Sequence, residues 1–282
     1  GNPTSRLNFA QLIAAYFDSH SKILDYESVY PAGTTREQVS DAQVAMMRNS
    51  QTTSQVAALE YLGWDVPATI TIEGAVEGSN AEGNVEQGDI LRAITTPDGV
   101  RHEITSAATP FAIMRSVPAG STMTLTVERG GTTQDISFDS VAASATESGS
   151  KLGVYLSADP VLPVDITVNI DGVGGPSAGM MFSLGIIDRL TPGDMTGGNA
   201  IAGTGTMSYD GQVGAIGGIQ QKLWGAHRDG AQWFLAPSNN CDEVVGHVPD
   251  GLRVVSVSTL DEAVSAVRSI ADGTGDSLPT CQ

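Results

Sequence analysis

Basic residues are scarce in this chain of 282 residues: 14 are Lys or Arg against 32 Asp or Glu, a formal net charge of −18. Phosphate backbones and anionic membrane surfaces repel such a surface, which argues against nucleic-acid partners. Long apolar runs are missing as well. No stretch approaches the roughly 20 apolar residues that span a bilayer, and Gly1-Asn2-Pro3-Thr4 has neither the basic start nor the apolar core of a signal peptide. The chain as it stands is expected to be soluble. Its start at Gly1, without Met, is expected of a trimmed or mature form, from which a native signal or anchor could have been removed. Cysteine is limited to Cys241 and Cys281, which excludes a disulfide framework or a four-cysteine zinc site. Two alternatives stay open: one bridge tying the C-terminal tail to the core, or two separate thiols. His20, His102, His227 and His247 are dispersed without metal-ligand spacing, so no metal and no cofactor is expected. The acidic residues are spread along the chain and are read as solubilising the surface, not as a calcium site.

What is present suffices for folding. A hydrophobic content of 40% over this length supports one large or two ordinary domains. Leu7 to Asp18 has helix-like apolar spacing, and a longer helix is predicted from Thr35, as its cap with Gln38 three residues on, through Val44, Met47 and Ala57-Ala58-Leu59 to a stop at Gly63. From Val66 the apolar period shortens to that of strands and glycines punctuate the chain, so a domain boundary is placed near residue 65. Gly83-Asn84-Val85-Glu86-Gln87-Gly88-Asp89-Ile90-Leu91-Arg92-Ala93-Ile94 resembles the core motif of PDZ domains. Phe111 to Ser116 is similar to their groove helix, and Leu125 to Arg129 to their closing strand. That resemblance implies binding of an extended peptide along a strand edge, with Leu62-Gly63-Trp64 as the loop whose amides take a terminal carboxylate. The other reading of that tripeptide is a helix terminator followed by an anchoring tryptophan. Ala142 to Ser150 is small and polar and reads as a linker.

Beyond the linker, Val164 to Ile170 alternates like a strand, a glycine-rich loop follows, and Ala178 to Leu190 reads as an apolar helix with Met180-Met181-Phe182 as core packing. Gly175-Pro176-Ser177-Ala178-Gly179 sets one serine among small residues at that helix's start, where unspent amides can stabilise an oxyanion. A serine nucleophile needs a base. One candidate is the nucleophile elbow G-x-S-x-G, with Asp242 and His247 as partners; Pro176 and the 105 residues left after Ser177 (282 − 177) argue against it. The other is a lysine. Of only three, Lys22, Lys151 and Lys222, the last follows Gly217-Gly218-Ile219-Gln220-Gln221, and an amine desolvated there can serve as a general base.

Together these segments resemble the proteolytic domain of Lon proteases. Gly175 to Gly179 is similar to the nucleophile segment and Gly217 to Lys222 to the base segment. Ala202 to Met207, Asp210 to Val213, Ala226 to Ala231 and Leu235 to Asn240 match further blocks in order. The resemblance implies a Ser177–Lys222 dyad with Thr204 hydrogen-bonded to the lysine. It departs at Gly174, where many Lon proteases carry Asp, which puts in doubt the balance of active and inactive loop states. No G-x-x-x-x-G-K-[ST] motif occurs, so the ATPase motor of Lon is absent from this chain. A PDZ module before a Lon-like block resembles bacterial ATP-independent, PDZ-containing Lon-like proteases.

The resemblance thus implies an α+β fold, a Lon-type proteolytic domain with an inserted β-rich PDZ domain. The expected divisions are 1–64 helical and packed on the protease domain, 65–147 PDZ, 148–271 proteolytic and 272–282 tail. It implies a serine endopeptidase of unfolded or exposed segments, substrates recruited or gated through C-termini bound by the PDZ domain, and a homo-oligomer. It also implies an extracytoplasmic, membrane-anchored location, which a Cys241–Cys281 bridge would suit. The rival expectation is a PDZ adaptor on an inactive protease-like scaffold.

Overall fold

The computed structural model describes residues 36–144, 148–169 and 175–281. The expectations for Leu7–Asp18, for Thr35 as a cap and for Gly174 lie outside them. The chain divides into two units, and the fold is α+β as expected. The inserted unit is Val56–Ile166 with Ser208–Gly211; the other comprises the described residues up to 55, from Thr167 to Met207 and from Gln212 onward.

Helix α1 (Arg36–Tyr61) ends where the sequence places its stop. Gly63 has φ +79, its N–H bonds Glu60 O (2.9 Å), and Trp64 N–H bonds Leu59 O (3.0 Å). This is the paired closure of a Schellman motif, which needs the left-handed residue that glycine supplies without strain. Leu62 N–H is likewise spent on Ala58 O (3.1 Å). The expectation that Leu62-Gly63-Trp64 forms a carboxylate loop is therefore corrected: its three amides satisfy the end of α1.

In the inserted unit, strands β1 (Ala68–Ala75), β2 (Asp89–Thr95) and β3 (Arg101–Glu103) precede a short helix α2 (Thr109–Met114), then β4 (Thr122–Arg129) and β5 (Thr132–Asp139). Val141–Ala142 (β6) and Ser150–Lys151 (β7) pair with each other, and β8 (Val154–Pro160) follows. The main sheet runs β5-β4-β2-β1-β8, with β3 beside β2. The unit thus continues past the expected limit at 147, because β8 pairs antiparallel along the whole of β1, from Ala68↔Pro160 to Ala75↔Val154. The expected linker is partly strand: Ser150 is buried and pairs with Ala142. Ile70, Ile72, Leu91, Ile94, Leu125 and Val127 fill the core, joined by Ile113 and Met114 of α2. Asp89, the acid of the PDZ-like motif, is buried beneath Arg129, whose Nε and Nη2 donate to its two oxygens at 2.7 Å each.

In the other unit α3 (Gly179–Leu190) is followed by β9 (Ile201–Gly203), the pair β10 (Thr206–Met207) and β11 (Val213–Gly214), and α4 (Ile219–Arg228). Then come β12 (Trp233–Pro237), the short helix α5 (Cys241–Val244), β13 (Arg253–Val257) and α6 (Leu260–Ala271). The parallel sheet is β13-β12-β9. Its central strand, Trp233-Phe234-Leu235-Ala236-Pro237, is buried throughout, as an unbroken apolar run in a parallel sheet requires. Val164 to Asn169 keeps the alternating burial expected of a strand but belongs to no strand ladder among the described residues. The tail is held: Cys281 is disulfide-bonded to Cys241, Pro279 O accepts from Ser256 N, and Gly275 is buried against the Trp233 ring.

Candidate active site

Ser177 sits on the turn that opens α3, two residues before its first helical residue. The two flanking glycines have different reasons. Gly175 takes φ +79, while a Cβ on Gly179 would fall 2.9 Å from Met207 N and 3.1 Å from Ser50 Oγ. The turn is thus left-handed at one end and pressed against its neighbours at the other. Met180 and Phe182 face the core behind it, as their apolar character dictates.

Thr204 and Gly205 follow directly on β9, at the carboxyl end of a parallel strand, where open α/β sheets place their ligands. Thr204 N–H bonds Leu235 O of the central strand (3.1 Å), and Gly205 N–H bonds Ser177 O (2.9 Å). Gly205 O in turn accepts from Met180 N at 3.1 Å. The β9–β10 connection is thereby laced to both ends of the serine turn.

Lys222 lies on α4, whose Ile219 and Leu223 are fully buried against Phe234, Ala236 and Leu252. These residues, four apart, fix the helix's rotation. The loop before α4 is held by Asn240, which is buried: its Oδ1 accepts from Ile216 N and its Nδ2 donates to Ile216 O, both at 2.9 Å.

These elements bring the three candidate residues together. Lys222 Nζ donates to Ser177 Oγ at 2.8 Å and to Thr204 Oγ1 at 2.8 Å. Thr204 Oγ1 also reaches Ser177 O at 2.9 Å, as donor. Thr204 is 1% exposed, Ser177 and Lys222 half-buried. Burial pushes the Lys222 amine below its ordinary value of 10.5, because the charged form loses hydration. In such an arrangement an amine whose charged form is disfavoured can take the proton of the serine hydroxyl.

The elbow triad is not assembled. His247 is exposed, and its Nδ1 contacts Val245 O, two residues back, at 3.1 Å; Asp242 is exposed as well. Ser177 Oγ has Lys222 as its partner. Among the described residues no cluster of His, Cys, Asp or Glu could hold a metal ion, and no helix is long and apolar enough to cross a membrane. Sequence reasoning missed Asn240 and the serines of α1 described below. Ser50 and Ser54 lie four apart within the polar run Arg48 to Gln55, where nothing local sets them off from their neighbours.

Residues 117–269 match the family model of the Lon protease (S16) C-terminal proteolytic domain, more than half of the chain. Lon protease 2 of Herpetosiphon aurantiacus is 31% identical over 153 residues, covering 52% of this chain and 18% of that protein. Lon protease of Clostridioides difficile is 37% identical over 93 residues, 32% of this chain and 12% of that protein. Lon protease of Haemophilus influenzae is 32% identical over 143 residues, 48% and 17% respectively. The chain spans less than a fifth of the length of these relatives. Among solved structures, the PDZ domain of the SdrC-like protein of Listeria innocua aligns with 31% of this chain and 92% of its own, at 17% identity and a TM-score of 0.27.

Proposed function

Because this chain belongs to the Lon protease (S16) C-terminal proteolytic domain family, we propose that it is a serine endopeptidase acting without ATP on unfolded or exposed protein segments. The observation that carries this reading is the 2.8 Å contact of Ser177 Oγ with Lys222 Nζ, whose pKa burial lowers. Neutral Lys222 accepts the Ser177 proton as Oγ attacks the scissile carbonyl carbon. The resulting ammonium returns that proton to the leaving amine as the C–N bond breaks, and an acyl-Ser177 ester remains. Lys222, neutral again, takes a proton from the water that hydrolyses the ester. In the turn, the Gly179 and Met180 amides are spent on Pro176 O and Gly205 O. The Ser177 and Ala178 amides remain, among the described residues, as donors to the oxyanion.

Thr204 sets the dyad's polarity. Its single proton goes to Ser177 O, so toward Lys222 it can only accept. With one N–H held by Thr204, loss of the proton that Lys222 donates to Ser177 Oγ frees a lone pair able to accept from that hydroxyl. ATP independence rests on the resemblance to ATP-independent, PDZ-containing Lon-like proteases.

The inserted unit recruits or gates substrate in this proposal. Since the Leu62-Gly63-Trp64 amides are spent, the edge offered to an extended segment is that of β8, the outermost strand next to β1. Protein or peptide substrates, not nucleic acids, suit a chain of net charge −18. An extracytoplasmic location would suit the Cys241–Cys281 disulfide, while membrane anchoring and homo-oligomerisation rest on the family resemblance. The test is degradation of casein without ATP by wild type, Ser177→Ala and Lys222→Ala, with circular dichroism confirming folding. The proposal expects cleavage by wild type alone; folded wild type that leaves casein intact would instead favour the adaptor reading.

A further inference from the structure

The Ser177 turn is held on its far side by the helix that precedes the inserted unit in sequence. Ser50 Oγ of α1 donates to Pro176 O at 3.2 Å, and Gln43 O accepts from Gly175 N at 3.4 Å. One turn further along α1, Ser54 Oγ lies 2.9 Å from Gly179 O and 2.6 Å from Ser50 O, two carbonyls that share its single proton. Ser183 of α3 returns the contact by donating to Ser54 O at 3.1 Å.

Helix α1 has no need of these hydroxyls for itself. Serine is a poorer helix former than alanine, because its hydroxyl competes for backbone groups. Burying a hydroxyl is also unfavourable unless it finds a partner. Ser50 is 5% exposed and Ser54 fully buried. Alanine would give the same close approach of α1 to Gly179 without either penalty, so the retained hydroxyls mark the carbonyls they reach. Pro176 has no N–H with which to anchor the turn. On the N-terminal side of Ser177 the anchors among the described residues are therefore the Gly175 N–H, taken by α1, and the Pro176 carbonyl, which accepts from Ser50 Oγ and, at 3.3 Å, from the Gly179 N–H of the turn itself. On the other side Ser177 O is fixed by Gly205 N and Thr204 Oγ1.

We propose that Ser50 is a positioning residue for catalysis: its hydroxyl fixes the peptide plane between Pro176 and Ser177, and so the direction in which Oγ leaves the turn toward Lys222 and the substrate. This rests on Ser177 being the nucleophile. Displacing a nucleophile from its attack geometry slows the chemical step with little effect on substrate binding.

The test is the rate at which a peptidyl fluorophosphonate labels Ser177 in wild type and Ser50→Ala, with the labelled fraction counted by intact mass. The proposal expects the variant to label to full stoichiometry but about tenfold more slowly, with KM for a peptide substrate within about twofold of wild type. A wild-type rate per labelled site, at full or reduced stoichiometry, would overturn it and leave Ser50 a packing role only. If Ser50→Ala does not fold, Ser50→Cys keeps the volume with a weak donor and must show the same slowing. Failure of wild type itself to label at Ser177 would count against the peptidase reading, separately from the role of Ser50.

Discussion

Thr204 Oγ1 stands 2.9 Å from the carbonyl of Ser177 and 2.8 Å from the Nζ of Lys222, so one hydroxyl touches both the Ser177 backbone and the Lys222 amine. With a single proton it donates to the first and accepts from the second. Thr204→Val keeps the shape and removes both bonds. It is expected to lower kcat by about ten- to a hundredfold with KM within about twofold. Steady-state kinetics on a peptide substrate checks this; wild-type kcat would make Thr204 an ordinary turn hydroxyl.

Lys222 carries a pH signature. Its folded pKa lies below the ordinary 10.5 because burial disfavours the ammonium, and only the neutral amine accepts a proton. The value of kcat/KM should therefore rise with pH through a single limb whose midpoint lies below 10.5. Stability has the matching sign. The buried ammonium is a penalty fully present below the folded pKa, and it fades as pH rises toward the unfolded value. Lys222→Met should be inactive, and any gain in Tm over wild type should shrink at alkaline pH. A gain that grows with pH would contradict the shift.

The inserted unit has an acid-sensitive support of the opposite sign. Asp89 is held below its ordinary 3.8, first by the hydrogen bonds from Arg129. Its contribution is present above 3.8 and is lost as pH falls through the depressed value. Arg129 is partly exposed and keeps Glu86 at 2.6 Å, so losing the charged partner beneath it should cost about 2 kcal/mol. Asp89→Asn is thus expected to be less stable than wild type near neutral pH, with the gap closing toward pH 3 and below. Chemical denaturation across that range measures it; a gap that widens with acid would be inconsistent with the pair.

The Cys241–Cys281 bridge closes a loop with a sequence separation of 40 residues. Loop-closure entropy puts its stabilisation at about 4 kcal/mol before any strain. Urea unfolding with and without reductant should show a loss of that order; an unchanged midpoint would mean that the tail contributes no constraint.

The sequence showed the chemistry more readily than the supports around it. Ser177 and Lys222 are legible because a base beside a serine turn requires small neighbours and a lysine in an apolar setting, and both requirements leave a local pattern. Gly63 is legible as a helix end, yet its loop looked able to receive a carboxylate. Whether amides are open depends on which carbonyls they already meet, here those of Ala58, Leu59 and Glu60. The limit of the inserted unit was hidden because β8 finds its partner in β1, far earlier in the chain, as in the pair Ala68↔Pro160, and small polar residues before it look like a linker. Ser50 was missed since a serine within a helix is unremarkable until the carbonyl opposite it, Pro176 O, is known.

The most direct test of the central claim is site-mapped labelling by a peptidyl fluorophosphonate in wild type and in a folded Lys222→Ala variant. A Ser177–Lys222 dyad predicts a single adduct at Ser177 in wild type and a labelling rate lower by ~10⁴ or more without the lysine. Labelling of Ser177 at an undiminished rate in Lys222→Ala, or an adduct at another residue, would contradict it.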